Sequence, residues 1–341
     1  MFKGILAGVI LTGLISPFMI RLACRVGLLD HPGVQSHKQH TKPIPLAGGL
    51  VILLVLLVLF FAFGLGKMSL IGVFWPALII FAFGLWDDFK RLSALQKLIG
   101  QVLGAMAVVL SDVSIQVFEN SAFYIGGSPL IYVWLDRFLT VFWLVGVTNA
   151  FNLVDSMDGL ALGLSGWALA FFMLVTYDSN QIALSMLTAL LLGICLGLYF
   201  FNAPPAHLFL GDSGAQLLGF LLAVIAILYN PLDRYQASSW FLPILLVGVP
   251  IFDTSLVFFS RLRRGKPVYQ AGRDHTYHRL VALGIGTERA VQLMHLAALV
   301  LSCIAFIALG LPPLPANLLF ATCLLFAVLA FYYLDHSQRW Q

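Results

Sequence analysis

The sequence has few charged residues. Asp, Glu, Lys and Arg together make up 10% of its 341 positions, whereas hydrophobic residues make up 60%. A soluble domain of this size needs more charge to cover its surface. The alternating pattern of an outer-membrane β-barrel is also missing. Instead, the apolar residues form long runs, and about 20 such residues in a helix cross ~30 Å of hydrocarbon. The composition predicts an all-α integral membrane protein.

Two further absences narrow the interpretation. The four cysteines show no C-x-x-C spacing, which favours buried structural thiols over metal ligands or disulfides. The first apolar run lacks a small-x-small cleavage site and is followed directly by Arg21 and Arg25. We therefore expect this run to be a retained first span and not a secretory signal.

The apolar runs predict about eleven membrane spans in a single polytopic domain covering residues 1–341. The spans lie near 4–22, 46–65, 69–86, 97–111, 133–150, 160–177, 182–201, 214–230, 240–260, 287–310 and 315–335. With the N-terminus outside, fifteen of the nineteen Lys and Arg residues fall in inner loops. Because positive residues are retained in the cytoplasm, we expect the N-terminus outside and the C-terminus cytoplasmic.

One outer loop has a pattern of its own. Ile115–Phe118 and Ile131–Val133 flank a turn-rich stretch with Gly126 and Gly127. This pattern predicts a short β-hairpin over the outer surface, with an irregular loop as the alternative.

Most acidic residues fall on the cytoplasmic side of this topology. They are Asp30, Asp87, Asp88, Asp155, Asp158, Asp212, Asp253, Asp274, Glu288 and Asp335. An unpaired carboxylate at the end of a span is costly, and such residues usually have a function. Carboxylates among basic residues suit a divalent cation and an anionic substrate. We expect a site built from loops 21–45, 86–97, 149–160, 202–214 and 261–287.

The segment from Asn149 to Gly159 is the sharpest single feature. Asn149, Asn152, Asp155 and Asp158 recur at every third position, so on a helix they would form one polar stripe. Gly159 then permits a break or a close approach. A hydrated helix end is the alternative, but it would not need four polar groups in register.

Three other elements are weaker when each is taken alone. The adjacent Asp87 and Asp88 close the third span, where such a pair is often only a solvated helix end. Asp212 either supplies a hard oxygen ligand to a metal or caps the next helix. His275 and His278 lie between arginines and fit diphosphate binding, whereas zinc has no supporting Cys or H-E-x-x-H pattern.

Taken together, these elements resemble the polyprenyl-phosphate N-acetylhexosamine-1-phosphate transferase superfamily. The resemblance covers about residues 28–285 and rests on five ordered signatures. They are His37-Lys-Gln-His40 with the following Pro-Ile-Pro-Leu-Ala-Gly-Gly, the Asp87-Asp88 pair, the 149–159 segment, the Phe209-Leu-Gly-Asp-Ser-Gly214 segment and the His275-x-x-His278 loop. The Pro-Ile-Pro-Leu element looks most like the undecaprenyl-phosphate GlcNAc-1-phosphate transferase branch.

The resemblance implies a Mg²⁺-dependent enzyme, with Mn²⁺ able to substitute. A phosphate oxygen of undecaprenyl phosphate would attack the β-phosphorus of a UDP-HexNAc and release UMP, as the first membrane step of cell-surface polysaccharide synthesis. The expected setting is the bacterial inner membrane, with the site facing the cytoplasm. No nucleic-acid partner is expected, and a homodimer fits the family.

The resemblance also assigns roles to individual residues. Asp87 and Asp88 would lie at the lipid-phosphate end, Asp155 and Asp158 in the nucleotide-sugar and metal region, and Asp212 would be a metal ligand together with Asp155. The implied substrate contacts are Lys38, His40, Lys97 (a phosphate), Asn149, Asn152, Asn202 (the nucleoside), Phe209 (stacking on uracil), Arg263, His275 and His278.

Departures from the family pattern leave the sugar open. Tyr277 stands where the family commonly has a histidine, so GlcNAc, GalNAc and 6-deoxy HexNAc donors all remain candidates. The absence of three consecutive histidines argues against the peptidoglycan branch. A transporter would place polar residues near the bilayer midplane, often in inverted repeats, and this pattern is absent. A CDP-alcohol transferase would need an arginine that does not follow Asp158-Gly159.

Overall fold

The computed structural model describes residues 1–32, 42–67, 70–118, 128–231, 236–268 and 272–337, and these ranges are almost entirely helical. The helices are α1 Phe2–Val26, α2 Gly48–Ala62, α3 Ile71–Lys90, α4 Ala94–Leu110, α5 Pro129–Val154, α6 Leu160–Asp178, α7 Ile182–Asn202, α8 Gly211–Leu228, α9 Gln236–Ser239, α10 Leu242–Leu246, α11 Gly248–Arg263, α12 Thr276–Ala282, α13 Thr287–Ala308 and α14 Pro313–His336. Two short strands, β1 Leu29–Asp30 and β2 Ile44–Pro45, pair antiparallel.

The helix lengths confirm the predicted class of protein. Eight helices within the described ranges are long and apolar enough to cross a membrane: α1, most of α3, α5, α6, α7, α8, α13 and α14. Helices α2 and α4 are also apolar but have only 15 and 17 residues, or about 22 and 25 Å at 1.5 Å per residue. The chain is therefore an all-α, multi-pass membrane protein. The count of eleven spans and their direction stay predictions.

The segment predicted as one span over residues 240–260 is not one continuous helix. Helices α10 and α11 occupy it as two pieces divided at Val247, and α9 ends just before it at Ser239. Pro243 lies in the first turn of α10, and Pro250 lies near the start of α11. Proline has no backbone N–H to donate, so it fits the first turn of a helix and interrupts a longer one. The apolar composition of the segment did not reveal these breaks.

The predicted β-hairpin is also wrong. Ile131–Val133 belong to α5, which begins with Pro129 in its first turn. The N–H groups of Val117 and Phe118 donate to the buried Asp136 carboxylate at 3.0 Å. The Asp136 side chain of α5 thus accepts the backbone N–H groups that a partner strand would accept in a hairpin. Gly126 and Gly127 lie outside the described residues.

Helix α8 is the centre of the bundle. It packs against α2, α3, α5, α6 and α7, and nearly all of its residues are buried. Two glycines allow its first turn to approach neighbouring helices closely. A Cβ atom on Gly84 would lie 2.5 Å from the Ser213 Cα atom, and one on Gly49 would lie 2.6 Å from the Gly214 nitrogen. Such small-residue contacts are typical of helices packed within a membrane.

The loops that carry the predicted site residues meet at one end of the bundle. Leu46, after β2, forms an isolated parallel bridge with Phe209, just before α8. The Gly48 N–H donates to the Phe209 carbonyl at 3.0 Å. Met1 lies at the opposite end, beside Ser185 in the first turn of α7. The last turn of α14, by contrast, contacts α12 at the site end.

Candidate active site

The first turn of α8 is held by Asp88 from the last turns of α3. The Asp212 N–H donates to Asp88 Oδ1 at 2.7 Å, while the Ser213 hydroxyl and N–H donate to Oδ2 at 2.6 and 3.1 Å. The first N–H groups of a helix have no partner within the helix and carry its positive dipole end. Asp88 satisfies two of them, and so fixes the position of Asp212.

Its neighbour Asp87 turns toward α4. Asp87 Oδ1 accepts the Leu92 N–H at 2.7 Å, and its other oxygen pairs with Lys97. Lys97 Nζ also donates to Asp212 Oδ1 at 3.0 Å. The two adjacent aspartates therefore have different partners, although the sequence had assigned them one location.

The polar stripe predicted for residues 149–158 is divided between a helix and a loop. Helix α5 ends at Val154, because Asp155 leaves the helical conformation. Only Asn149 and Asn152 lie on the helix, so a helical stripe reaching Asp158 is wrong. Asp155 and Asp158 occupy the turn between α5 and α6, which closes at Gly159 with a φ of 73°.

Asn149 lies in a cluster of amides that sequence reasoning missed. Its Nδ2 donates to Gln101 Oε1, and Gln101 Nε2 donates to Gln216 Oε1 at 3.1 Å. Gln101 and Gln216 are each 2% exposed. The glutamines within apolar helices could have predicted this cluster, because an amide side chain inside a membrane protein hydrogen-bonds to another polar group. This cluster ties α4, α5 and α8 together behind the carboxylates.

The carboxylates of the 155–158 turn converge on the start of α8. Asp158 Oδ2 accepts the Ala206 N–H at 3.1 Å. Burial raises the pKa of Asp155 to about 8, with further contributions from the negative charges of Asp212, Asp88 and Asp158. Charges shift a pKa this way only when they lie close together. We call Asp87, Asp88, Asp155, Asp158 and Asp212 the acidic cluster.

The loop between α7 and α8 completes this side of the site. Asn202 is 2% exposed; its Oδ1 accepts the Gly159 N–H at 3.0 Å and its Nδ2 donates to the Leu208 carbonyl at 2.9 Å. Both ends of this amide thus clamp two loops of the site together. The Phe209 N–H donates to the Pro45 carbonyl at 2.9 Å, and the Phe209 side chain is half-buried.

The histidine loop lies against the turn between α5 and α6. Tyr277 in α12 is buried; its hydroxyl hydrogen-bonds His278 Nε2 at 2.5 Å and lies near the Ser156 side chain. Burial raises the pKa of Tyr277 to about 12, so the phenol stays neutral. His275 Nδ1 lies 2.8 Å from Asp253 Oδ2. Tyr277, which stands where the family commonly has a histidine, therefore lies between His278 and the 155–158 turn of the acidic cluster.

The arginines of the same loop are paired with acids. Arg261 donates to both Asp274 oxygens at 2.7 and 2.6 Å. Arg263 Nη2 lies 2.8 Å from Asp335 Oδ2 at the end of α14. Among the described contacts, Arg263 thus joins Asp335 and not the acidic cluster, although the resemblance implied a substrate contact. Lys38 and His40 lie outside the described residues, and Asn152 is half-buried on α5.

The donor chemistry of the acidic cluster fits a hard divalent cation. Asp155 and Asp212 offer carboxylate oxygens, and their mutual repulsion would be relieved by positive charge. In the part of the chain that the structure describes, no three His, Cys, Asp or Glu side chains are arranged to hold a metal. Mg²⁺ commonly takes only one or two protein carboxylates, with water and substrate phosphates completing its shell. Two aspartates are consistent with that mode.

Helices long enough to span a bilayer, with a carboxylate-rich site at one end of the bundle, define a multi-pass membrane protein whose site suits a divalent cation. Residues 70–230 match the model of glycosyl transferase family 4. A Bacillus subtilis (strain 168) protein named "probable undecaprenyl-phosphate N-acetylglucosaminyl 1-phosphate transferase" is 31% identical, covering 86% of this chain and 81% of that protein. The chain belongs to the polyprenyl-phosphate N-acetylhexosamine-1-phosphate transferase superfamily.

Two other relatives show the range of named donors within the superfamily. A phospho-N-acetylmuramoyl-pentapeptide-transferase of Halalkalibacterium halodurans is 31% identical over 80% of this chain and 85% of its own length. An Escherichia coli O157:H7 undecaprenyl-phosphate alpha-N-acetylglucosaminyl 1-phosphate transferase is 27% identical over 85% and 79%. The similarity thus extends well beyond the family-model match, on both sides of it.

Proposed function

We propose that this protein transfers a HexNAc-1-phosphate, with GlcNAc as the first choice of sugar, from a UDP-sugar to undecaprenyl phosphate. The observation that carries the proposal is the acidic cluster, gathered around the first turn of α8 in a chain related to such transferases over most of its length. A lipid-phosphate oxygen forms a bond to the β-phosphorus, the bond from that phosphorus to the bridging oxygen breaks, and UMP leaves. Direct displacement requires no covalent intermediate on the enzyme.

Phosphoryl transfer depends mainly on positioning and charge neutralisation. Mg²⁺, when bound by Asp155 and Asp212, supplies positive charge for the diphosphate. Asp88 holds Asp212 in place through the start of α8, and Lys97 supplies a fixed cation between Asp87 and Asp212. The site lies at the ends of helices, where a lipid phosphate at headgroup level reaches it without crossing hydrocarbon.

On the donor side, Phe209 is the candidate for uracil stacking. Its backbone is fixed at both the N–H and the carbonyl, which limits where the ring can lie. His275 and His278 are candidates for holding the diphosphate or sugar, since α12 lies beside the 155–158 turn. The inferred setting is the bacterial inner membrane with the site facing the cytoplasm, because UDP-sugars are cytoplasmic and the inner loops carry most of the Lys and Arg.

The direct test uses purified protein with Mg²⁺, undecaprenyl phosphate and a panel of UDP-sugars. We expect UMP release with UDP-GlcNAc, compared in parallel with UDP-GalNAc, a 6-deoxy HexNAc donor and UDP-MurNAc-pentapeptide. Preference for UDP-MurNAc-pentapeptide would assign the chain to the peptidoglycan reaction. It would contradict the expectation from Thr276 and Tyr277, which separate the two histidines of the loop. Transport of UDP-sugars into vesicles without release of UMP would instead contradict the enzyme interpretation.

A further inference from the structure

Asp253 is a fully buried carboxylate in α11 for which the reaction described above has no use. Both of its oxygens bind the start of α12. Oδ1 accepts the Thr276 N–H at 2.6 Å, and Oδ2 lies 2.8 Å from His275 Nδ1. One side chain thus fixes the backbone at the beginning of α12 and the imidazole ring that precedes it.

The contact with Asp253 sets which ring nitrogen of His275 carries the proton. An ionised carboxylate has only acceptors, so the Nδ1 atom must be the donor. The other nitrogen, Nε2, is then the atom left for a substrate. The partner of one ring nitrogen commonly decides the state of the other in this way.

The loop that carries His275 lies beside the turn between α5 and α6. His278 lies on the same short helix, with its ring centroid 6.0 Å from that of His275. Tyr277 between them lies near Ser156, which lies between Asp155 and Asp158. Asp274 precedes His275, but its two oxygens accept hydrogen bonds from Nε and Nη2 of Arg261. Asp253 is therefore the carboxylate that orients the ring.

We propose that Asp253 is a positioning residue, which holds His275 as the Nδ1–H tautomer and so leaves Nε2 as a hydrogen-bond acceptor for a hydroxyl or amide N–H of the nucleotide-sugar. This inference rests on the proposed function for the identity of the donor sugar. The hydrogen-bond geometry that carries it belongs to the protein alone.

Asp253→Asn tests the proposal with almost no change of volume. The asparagine Oδ1 still accepts the Thr276 N–H, but its Nδ2 donates to His275 Nδ1 and so reverses the tautomer. We expect kcat/KM to fall about 10–100-fold, as for other partners of functional histidines. Asp112→Asn is the matched control, because Asp112 is exposed in the turn after α4, and its activity should equal that of the wild type.

Two measurements separate positioning from a structural role. Imidazole ¹⁵N shifts in histidine-labelled protein, assigned by difference with His275→Gln, should show Nδ1 protonated in the wild type and Nε2 protonated in Asp253→Asn. In addition, Asp253→Asn combined with His275→Gln should be no less active than His275→Gln alone, because Asp253 acts through His275.

The proposal is overturned if the wild-type ring proves to be the Nε2–H tautomer, a result that does not depend on whether any Asp253 variant folds. Additive losses in the double variant, or wild-type activity of a folded Asp253→Asn, would also overturn it. A wild type that releases no UMP would contradict the proposed function, yet the tautomer measurement would still decide the role of Asp253.

Discussion

Two groups of aspartates lie at the same end of the helix bundle, but they are neutralised in different ways. In the acidic cluster, Lys97 is the one fixed cation among the described contacts, and it pairs with only two of the five carboxylates, Asp87 and Asp212. The second group, which we call the paired cluster, joins acids of α11, α14 and the histidine loop to adjacent hydrogen-bond donors. Asp274 and Asp335 pair with Arg261, Arg263 and Arg279, and Asp253 contacts the Nδ1 atom of His275.

This difference in fixed partners distinguishes the carboxylates that stabilise the fold from those that are available for binding a cation or substrate. A buried carboxylate with a fixed partner is satisfied without any ligand, and removing that partner leaves a costly unpaired charge. A group with excess negative charge is stabilised only when a cation arrives from outside. Sequence position alone did not separate these groups, since all of these acids lie on the predicted cytoplasmic side.

The largest effect should follow from Asp212→Ala in the acidic cluster. We expect turnover to fall roughly 100-fold or more, because a metal ligand supports several kcal/mol of charge stabilisation. Added Mg²⁺ should raise the Tm of the wild type by binding to the folded state. That rise should disappear in Asp212→Ala while its Tm without Mg²⁺ stays near that of the wild type. Near-normal turnover would remove Asp212 from the metal site.

Asp335→Asn should give the opposite pattern. Arg279 is fully buried and donates to Asp335 Oδ1 at 3.0 Å, so the substitution leaves a buried guanidinium without its counter-charge. Breaking such a pair costs about 3–5 kcal/mol. We expect a clear fall in Tm in detergent, with the Mg²⁺-dependent rise retained. Arg263→Gln is the matched comparison; because Arg263 is 46% exposed, its loss should cost about 1 kcal/mol or less. Equal losses for the two variants would argue against this ranking.

The smallest effect concerns acid stability. Burial raises the pKa of Asp274, but the two bonds from Arg261 outweigh burial and hold this pKa below its usual range. The pair therefore contributes stability above the unfolded-state pKa of about 3.9, and this contribution is lost as the pH falls through the lower folded-state pKa. We expect Asp274→Asn to lower Tm at neutral pH and to show a flatter decline below about pH 4. A parallel decline in both proteins would count against the pairing.

The predicted class of fold came from features that are local in the chain. Apolar runs located ten of the helices within a few residues, because a helix in lipid satisfies its own backbone whatever lies next to it. The failures had two causes, a contact partner from another element in one case and helix-breaking prolines in the other. Asp136 satisfies the backbone of the predicted first hairpin strand, and the prolines near residues 243 and 250 divide the ninth span.

In the site, too, the sequence identified residues but not the contacts between them. The sequence located Asp87, Asp88, Asp155, Asp158 and Asp212 as candidates, and the structure brings them together around α8. It also gives Asn149 and Asn202 internal partners, which the resemblance did not indicate. The sequence did not predict roles for Gln101, Gln216 and Asp253, because a single polar residue in an apolar run does not indicate which residue it will contact.

By itself, then, the sequence determined that this is a helical membrane protein with its acids and bases collected at helix ends. Composition and the length of apolar runs are enough for that conclusion, because the bilayer acts on each segment separately. Only the tertiary structure decided how Asp87 and Asp88 differ, and which acids are paired with arginine. Those outcomes depend on contacts between residues as far apart as Asp88 and Ser213 or Arg279 and Asp335, which form only when the helices pack.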